Sequence, residues 1–177
     1  MSLIIQLPTI GTILDVSLYT SEPDVQLIQY VLESSLDKTI FLRRYAGGIA
    51  FDFHKTQTYE GKPYSYHLEM VVGHMDSFFV GNFDKRLNNV MAVCAYLHHV
   101  LEDTNITYNY LCKYAPREVV EIVCLVTNEL GRNRKERTEK TYLKIRTSVF
   151  ATLVKLADLI ANMSESKSND VDMFEKY

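Results

Sequence analysis

Between His98 and Asp103 the chain sets two imidazoles and two carboxylates within six residues: His98, His99, Glu102 and Asp103. These side chains ligate metals or move protons near neutral pH. The apolar residues before and among them, Leu87, Val90, Met91, Cys94, Leu97 and Leu101, recur at helical spacing and predict one amphipathic helix from about Asp84 to Asp103. Residues three and four apart are neighbours on a helix surface, so His98 lies over Glu102, and His99 over both Glu102 and Asp103. A solvated last turn would also carry polar residues. Acids are disfavoured at a helix C-terminus, however, because the macrodipole is already negative there. A cation or a chemical role would explain the pair.

Further groups have the same potential. Asp158 and Asn162 share one face of an otherwise apolar helix, where a buried carboxylate needs a partner or a metal. A surface position with Lys155 as the exposed partner of Asp158 is the alternative. His67 follows Pro63 and Tyr64 near a helix start, where a lone histidine is more often structural than ligating. Arg134, Lys135 and Arg137 form a basic run, continued by Lys140 and Lys144. It suits either a solvated face laced with Glu–Arg pairs or a phosphate clamp, since Arg presents a fork that matches phosphate oxygens.

The elements that position these groups are mostly helical. Ser21, Glu22 and Pro23 signal the start of a helix to about 36, and Asp37-Lys38-Thr39 can cap a second that runs to about Lys55. Gly47-Gly48 weakens that second helix or allows close packing. Thr56 to Pro63 reads as a loop. A helix opens at Tyr64, residues 73–82 are ambiguous, and further helices follow near 107–114, from Ala115-Pro116, over 133–146 and over 148–164. The first 20 residues fit an extended segment, a short hairpin or an irregular arm. Residues 165–177 are polar and suit a loose tail.

Composition sets limits. The chain has 177 residues, 47% hydrophobic and 23% charged, as an ordinary globular domain does. A net charge of −3 and interleaved acids argue against a nucleic-acid stripe. No apolar run approaches the length of a membrane span. The three scattered cysteines, Cys94, Cys112 and Cys124, form no disulfide framework and point to a reducing compartment, the cytoplasm.

In order along the chain, four segments resemble the HD-domain hydrolases of the RelA/SpoT type, a group that includes small single-domain guanosine tetraphosphate hydrolases. Gln57 to His67 resembles the loop leading to the family's first metal histidine, and Leu97 to Thr104 its His-Asp-Val-x-Glu-Asp-Thr element. Asn133 to Arg137 with Thr141 to Ile145 resembles a segment of small bacterial members, and Lys155 to Asn162 the closing helix. The resemblance runs from about residue 46 to 166.

The resemblance implies an all-α, compact multi-helix HD-domain bundle. Residues 1–45 would be an N-terminal arm and helix packed on the core, 46–166 the HD-type domain and 167–177 a polar tail. It implies His67, His98, His99 and Asp158 as metal ligands, Glu102 and Asp103 as the groups that position and activate water, and Asn162 as a contact to sugar or base. Arg134, Lys135, Arg137, Lys140 and Lys144 would neutralise phosphate. The metal would be manganese and the substrate a small-molecule nucleotide, in a metal-dependent (pyro)phosphohydrolase. The chain departs from the family pattern at three positions: His99 stands where the family has Asp, Thr58 where it has Arg near the base, and Leu159 where it has Arg in the closing motif. An imidazole is softer than a carboxylate and shifts the expected metal toward zinc, iron or nickel. The same departures suit a catalytically inactive protein that binds a nucleotide or a protein partner. A homo-oligomer is compatible with either reading.

Overall fold

The computed structural model describes residues 4–6, 13–15, 21–79 and 84–169. Near the N-terminus, β1 (Ile4–Gln6) and β2 (Ile13–Asp15) pair antiparallel, with Ile5 opposite Leu14, so the hairpin alternative holds for this stretch. The helices follow: α1 (Glu22–Glu33), α2 (Leu36–Phe53), α3 (Ser65–Phe78) and α4 (Lys85–Leu97). After them come α5 (Val100–Asp103), α6 (Tyr108–Leu111), α7 (Arg117–Val126), α8 (Arg134–Ile145) and α9 (Val149–Asn169). A minimal hairpin, β3 (Thr58–Tyr59) and β4 (Lys62–Pro63), precedes α3 where a plain loop was expected. Its two-residue turn has Glu60 at φ 49° and Gly61 at φ 76°, the left-handed pair that matches the twist of adjoining strands.

The helix starts follow local chemistry. Ser21 Oγ accepts from the Asp24 N–H at 3.3 Å, and Pro23 sits in the first turn, where its missing N–H costs nothing. Ser35, rather than the Asp37-Lys38-Thr39 stretch, caps α2 by accepting from Lys38 N–H at 3.2 Å. Asn133 caps α8.

The core is centred on α4, which packs against α2, α3, α7 and α9. Its residues from Val90 to Leu97 are all buried, so the helix is enclosed rather than amphipathic. Ala92 and Ala95 supply close approach on the sides that the spacing argument left to solvent. On the α2 side, a Cβ at Gly47 would stand 3.3 Å from the Tyr96 ring, so the glycine admits that ring. Arg43 on α2 forks onto Asp76 on α3 at 2.8 and 2.6 Å.

One long-range contact fixes α9. Asp24 of α1 is buried, and its carboxylate accepts from Val149 N–H at 2.9 Å and from the Ser148 hydroxyl. An acid at a helix N-terminus satisfies unpaired N–H groups and complements the dipole. The helix expected over 148–164 extends to Asn169, and residues 170–177 of the expected tail lie outside the described residues. No helix among the described residues is long and apolar enough to cross a membrane.

Candidate metal centre

The expected helix from Asp84 to Asp103 is broken at its chemical end. α4 stops at Leu97, His98 and His99 form a turn, and α5 restarts at Val100. Successive residues of a regular helix point about 100° apart. The turn relaxes that divergence and brings the rings of His98 and His99 to 4.0 Å between centroids. Both point to the same place, as does His67 from the first turn of α3.

That place is the Asp158 carboxylate on α9. Its Oδ1 lies 3.4 Å from His67 Nε2, 3.7 Å from His98 Nε2 and 3.8 Å from His99 Nε2. One ligand atom from each of the four residues falls within 4.8 Å of the others. His67, His98 and Asp158 are almost fully buried and His99 is partly so. Burial pushes the Asp158 carboxyl up, but the three imidazoles outweigh it and hold the group well below the usual carboxylate range.

The tautomers show what this arrangement fits. His98 Nδ1 lies 2.6 Å from the Ala95 carbonyl oxygen, which can only accept, so the proton belongs on Nδ1 and Nε2 carries a lone pair. Burial, then the neighbouring His99, pushes the His98 pKa down and keeps the ring neutral. A lone pair therefore faces a carboxylate oxygen, and His98 Nε2 has no hydrogen-bond partner among the described residues. Two acceptors aimed at one another are relieved by a cation between them. His99 Nδ1 is likewise without a hydrogen-bond partner among the described residues, although it stands 3.3 Å from Asp103 Oδ2 and 3.9 Å from Glu102 Oε2. Three imidazoles and one carboxylate fit a divalent transition metal.

The surrounding groups are anchored. Tyr64 donates to Asp103 Oδ2 at 3.0 Å, and burial followed by Asp103 raises its pKa, so the phenol stays protonated. Gln57 Nε2 donates to the Asp103 carbonyl at 2.6 Å, while its Oε1 meets His54 Nδ1 at 2.7 Å. The His54 ring stacks on Tyr64 at 4.6 Å. Glu102 is gripped by Asn128, through Nδ2 at 2.6 Å and the backbone N–H at 3.3 Å. Asn162 donates to Asp158 Oδ1 at 2.8 Å and accepts from the Tyr59 hydroxyl at 2.8 Å. Lys155 is not the exposed partner of the surface alternative. It is largely covered, and its Nζ sits 2.7 Å from Asp158 Oδ2.

The cluster opens into a cleft of about 630 Å³ bordered by Arg134 and Arg137 of α8. Lys135, Lys140 and Lys144 do not line it. Lys135 reaches toward Glu139 at 4.0 Å, Lys140 pairs with Glu136 at 2.8 Å, and Lys144 binds Glu129 at 2.6 Å and the Thr127 carbonyl at 2.8 Å. Lys140 and then Arg132 hold the Glu136 carboxyl down to about 2. Much of the basic run satisfies its own neighbourhood.

Residue patterns alone did not point to Tyr64, Gln57, His54 or Asn128. A signal existed for the first: Tyr64 stands three residues before His67, one helical turn away. Asn128 lies 26 positions from Glu102, and no local pattern announces that contact.

The cluster thus joins His67 of α3, the His98-His99 turn and Asp158 of α9 within a helical bundle. Among solved structures, this chain is similar to a metazoan ortholog of SpoT, described as hydrolysing ppGpp and playing a role in starvation responses. The two superpose with a TM-score of 0.60 over 90% of this chain and 81% of that one, at 21% identity. The shared property is the fold. No family model matches the chain.

Proposed function

We propose that this chain is a metal-dependent nucleotide phosphohydrolase of the guanosine tetraphosphate 3'-pyrophosphohydrolase kind. The carrying observation is the convergence of three imidazole nitrogens on one oxygen of Asp158, with a lone pair of His98 aimed into the gap. His67, His98, His99 and Asp158 would hold the ion. When bound, a divalent metal supplies a water of lowered pKa and polarises a phosphoryl oxygen. The nitrogen-rich set favours zinc, iron or nickel over manganese.

The chain's own residues do the rest. Asp103, held at its carboxylate by Tyr64 and at its carbonyl by Gln57, accepts a proton from the attacking water. Glu102, fixed by Asn128, orients that water. Arg134 and Arg137 meet the phosphate at the mouth of the cleft. Asn162 lines the cleft beside Asp158, where it would contact a ribose or base. The experiment is metal analysis of the purified protein, followed by phosphate and pyrophosphate release from guanosine tetraphosphate and from NADPH. Expected are near-stoichiometric metal and turnover that a chelator abolishes. No metal and no turnover with manganese, zinc, iron or nickel would sink the proposal.

One observation favours a second reading, a binding protein without catalysis. Lys155 already places an ammonium 2.7 Å from Asp158, so the buried carboxylate has a cation without a metal. Under that reading His99→Asp creates activity that the unaltered chain lacks. Under the first it only shifts metal preference toward manganese.

A further inference from the structure

The cleft does not end at the cluster. Tyr142, Lys155 and Leu159 border both the cleft and a second hollow of about 280 Å³ between α8 and α9, completed mainly by Ile145 and Leu156. The two spaces differ in chemistry. The first presents Arg134, Arg137 and the imidazole cluster, whereas the second presents chiefly carbon, with Thr152 and Arg146 as its other polar members. Lys155 is the partition. Its ammonium is committed to Asp158, so it lends the hollow its methylene stem. Thr152, Leu156 and Leu159 extend the hollow along α9 over roughly 10 Å, at 1.5 Å per residue. Tyr142 and Leu156, which both line the hollow, remain 46% and 44% exposed.

We infer that this hollow is a subsite for the aromatic or aliphatic portion of a phosphorylated ligand, whose anionic end lies among Arg134, Arg137 and the cluster. The inference rests on the reading of the cleft as a phosphate site. Continuity of the two spaces and segregation of charge from carbon select an amphipathic ligand over one that is phosphate throughout. Recognition there is by burial and stacking on Tyr142. Ligands that differ only in the hydrogen-bonding groups of a base edge therefore bind alike.

Calorimetry on the full chain with 1-naphthyl phosphate and with inorganic phosphate tests this. The naphthyl ester is expected to bind at least tenfold more tightly. Leu159→Asp is expected to reduce that preference by about tenfold, the worth of one well-buried apolar contact. Tyr142→Ala, at an exposed position that folding tolerates, is expected to reduce it likewise, each preference being read as the ratio of the two affinities. Equal binding of the two compounds, binding of neither, or a preference that survives both variants overturns the subsite. A dimer in light scattering that Leu156→Glu dissociates also overturns it, because a second copy then covers the face. Nucleotide turnover without a naphthyl preference removes the subsite alone. A naphthyl preference without metal or turnover removes hydrolysis alone.

Discussion

The imidazole cluster and helix α8 face each other across one cleft and are built in opposite ways. His67, His98 and Asp158 come from separate elements and are 1–3% exposed. Desolvating such groups is costly, and well-packed apolar residues would stabilise the fold more. Their convergence is thus poorly explained by stability. α8 carries a far denser run of charge, yet Lys135 and Lys140 turn to acids of their own helix and Lys144 to Glu129. Exposed pairs of this kind contribute little. Sparse polar residues inside apolar helices were the better guide to chemistry than the most conspicuous charged segment.

The contrast can be broken from either side. Asp158→Asn keeps the volume but removes the one charge within the imidazole cluster, and metal affinity is expected to fall by more than about 100-fold, read by competition with a chromophoric chelator. Next in size is Asp24→Ala, far from the cluster, which removes the carboxylate held by Ser148 and the Val149 N–H at the start of α9 and leaves Ser148 to cap the Ala151 N–H. Urea unfolding should show a loss of about 2 kcal/mol, with weakened metal binding as a consequence of a loosened α9. A retained midpoint would mean that α9 is positioned without α1.

Acidification probes the buried side alone. The His98 pKa is depressed in the folded state, so the unfolded chain takes the proton first. The stabilisation is full above the ordinary histidine value near 6.5 and is lost as pH falls through the folded pKa. The metal-free protein is expected to lose about 1 kcal/mol between pH 7 and 5.5, a loss that His98→Gln reduces; the remainder belongs to His54, whose pKa burial also lowers. The smallest effect belongs to α8. Lys135→Ala should shift stability by less than about 0.5 kcal/mol and leave turnover unchanged, whereas Arg137→Ala should raise KM. Equal effects of the two on KM would erase the distinction drawn within that helix.

Much of this was legible beforehand. Helical spacing located α1, α3, α7 and α9, and the order of motifs brought His67, His98, His99 and Asp158 into one cluster. Three things were not legible, for physical reasons. The break at His98-His99 leaves no mark in an apolar period that continues through Leu101. The enclosure of α4 depends on alanines, which spacing arguments treat as neutral. The separation of Arg134 and Arg137 from Lys135, Lys140 and Lys144 depends on tertiary partners such as Glu129 and Leu130, which a run of like charges cannot reveal.

The cap that Asp24 places on α9 spans 125 positions, and the Tyr59–Asn162 and Lys62–Glu165 contacts each span 103. Contacts of such sequence separation form only after most of the chain has collapsed. The cluster is consequently a late product of folding: until α9 has docked, a growing chain has histidines but no Asp158 to gather them. Metal uptake, followed in time during refolding, would report completion of the whole fold rather than formation of any one helix.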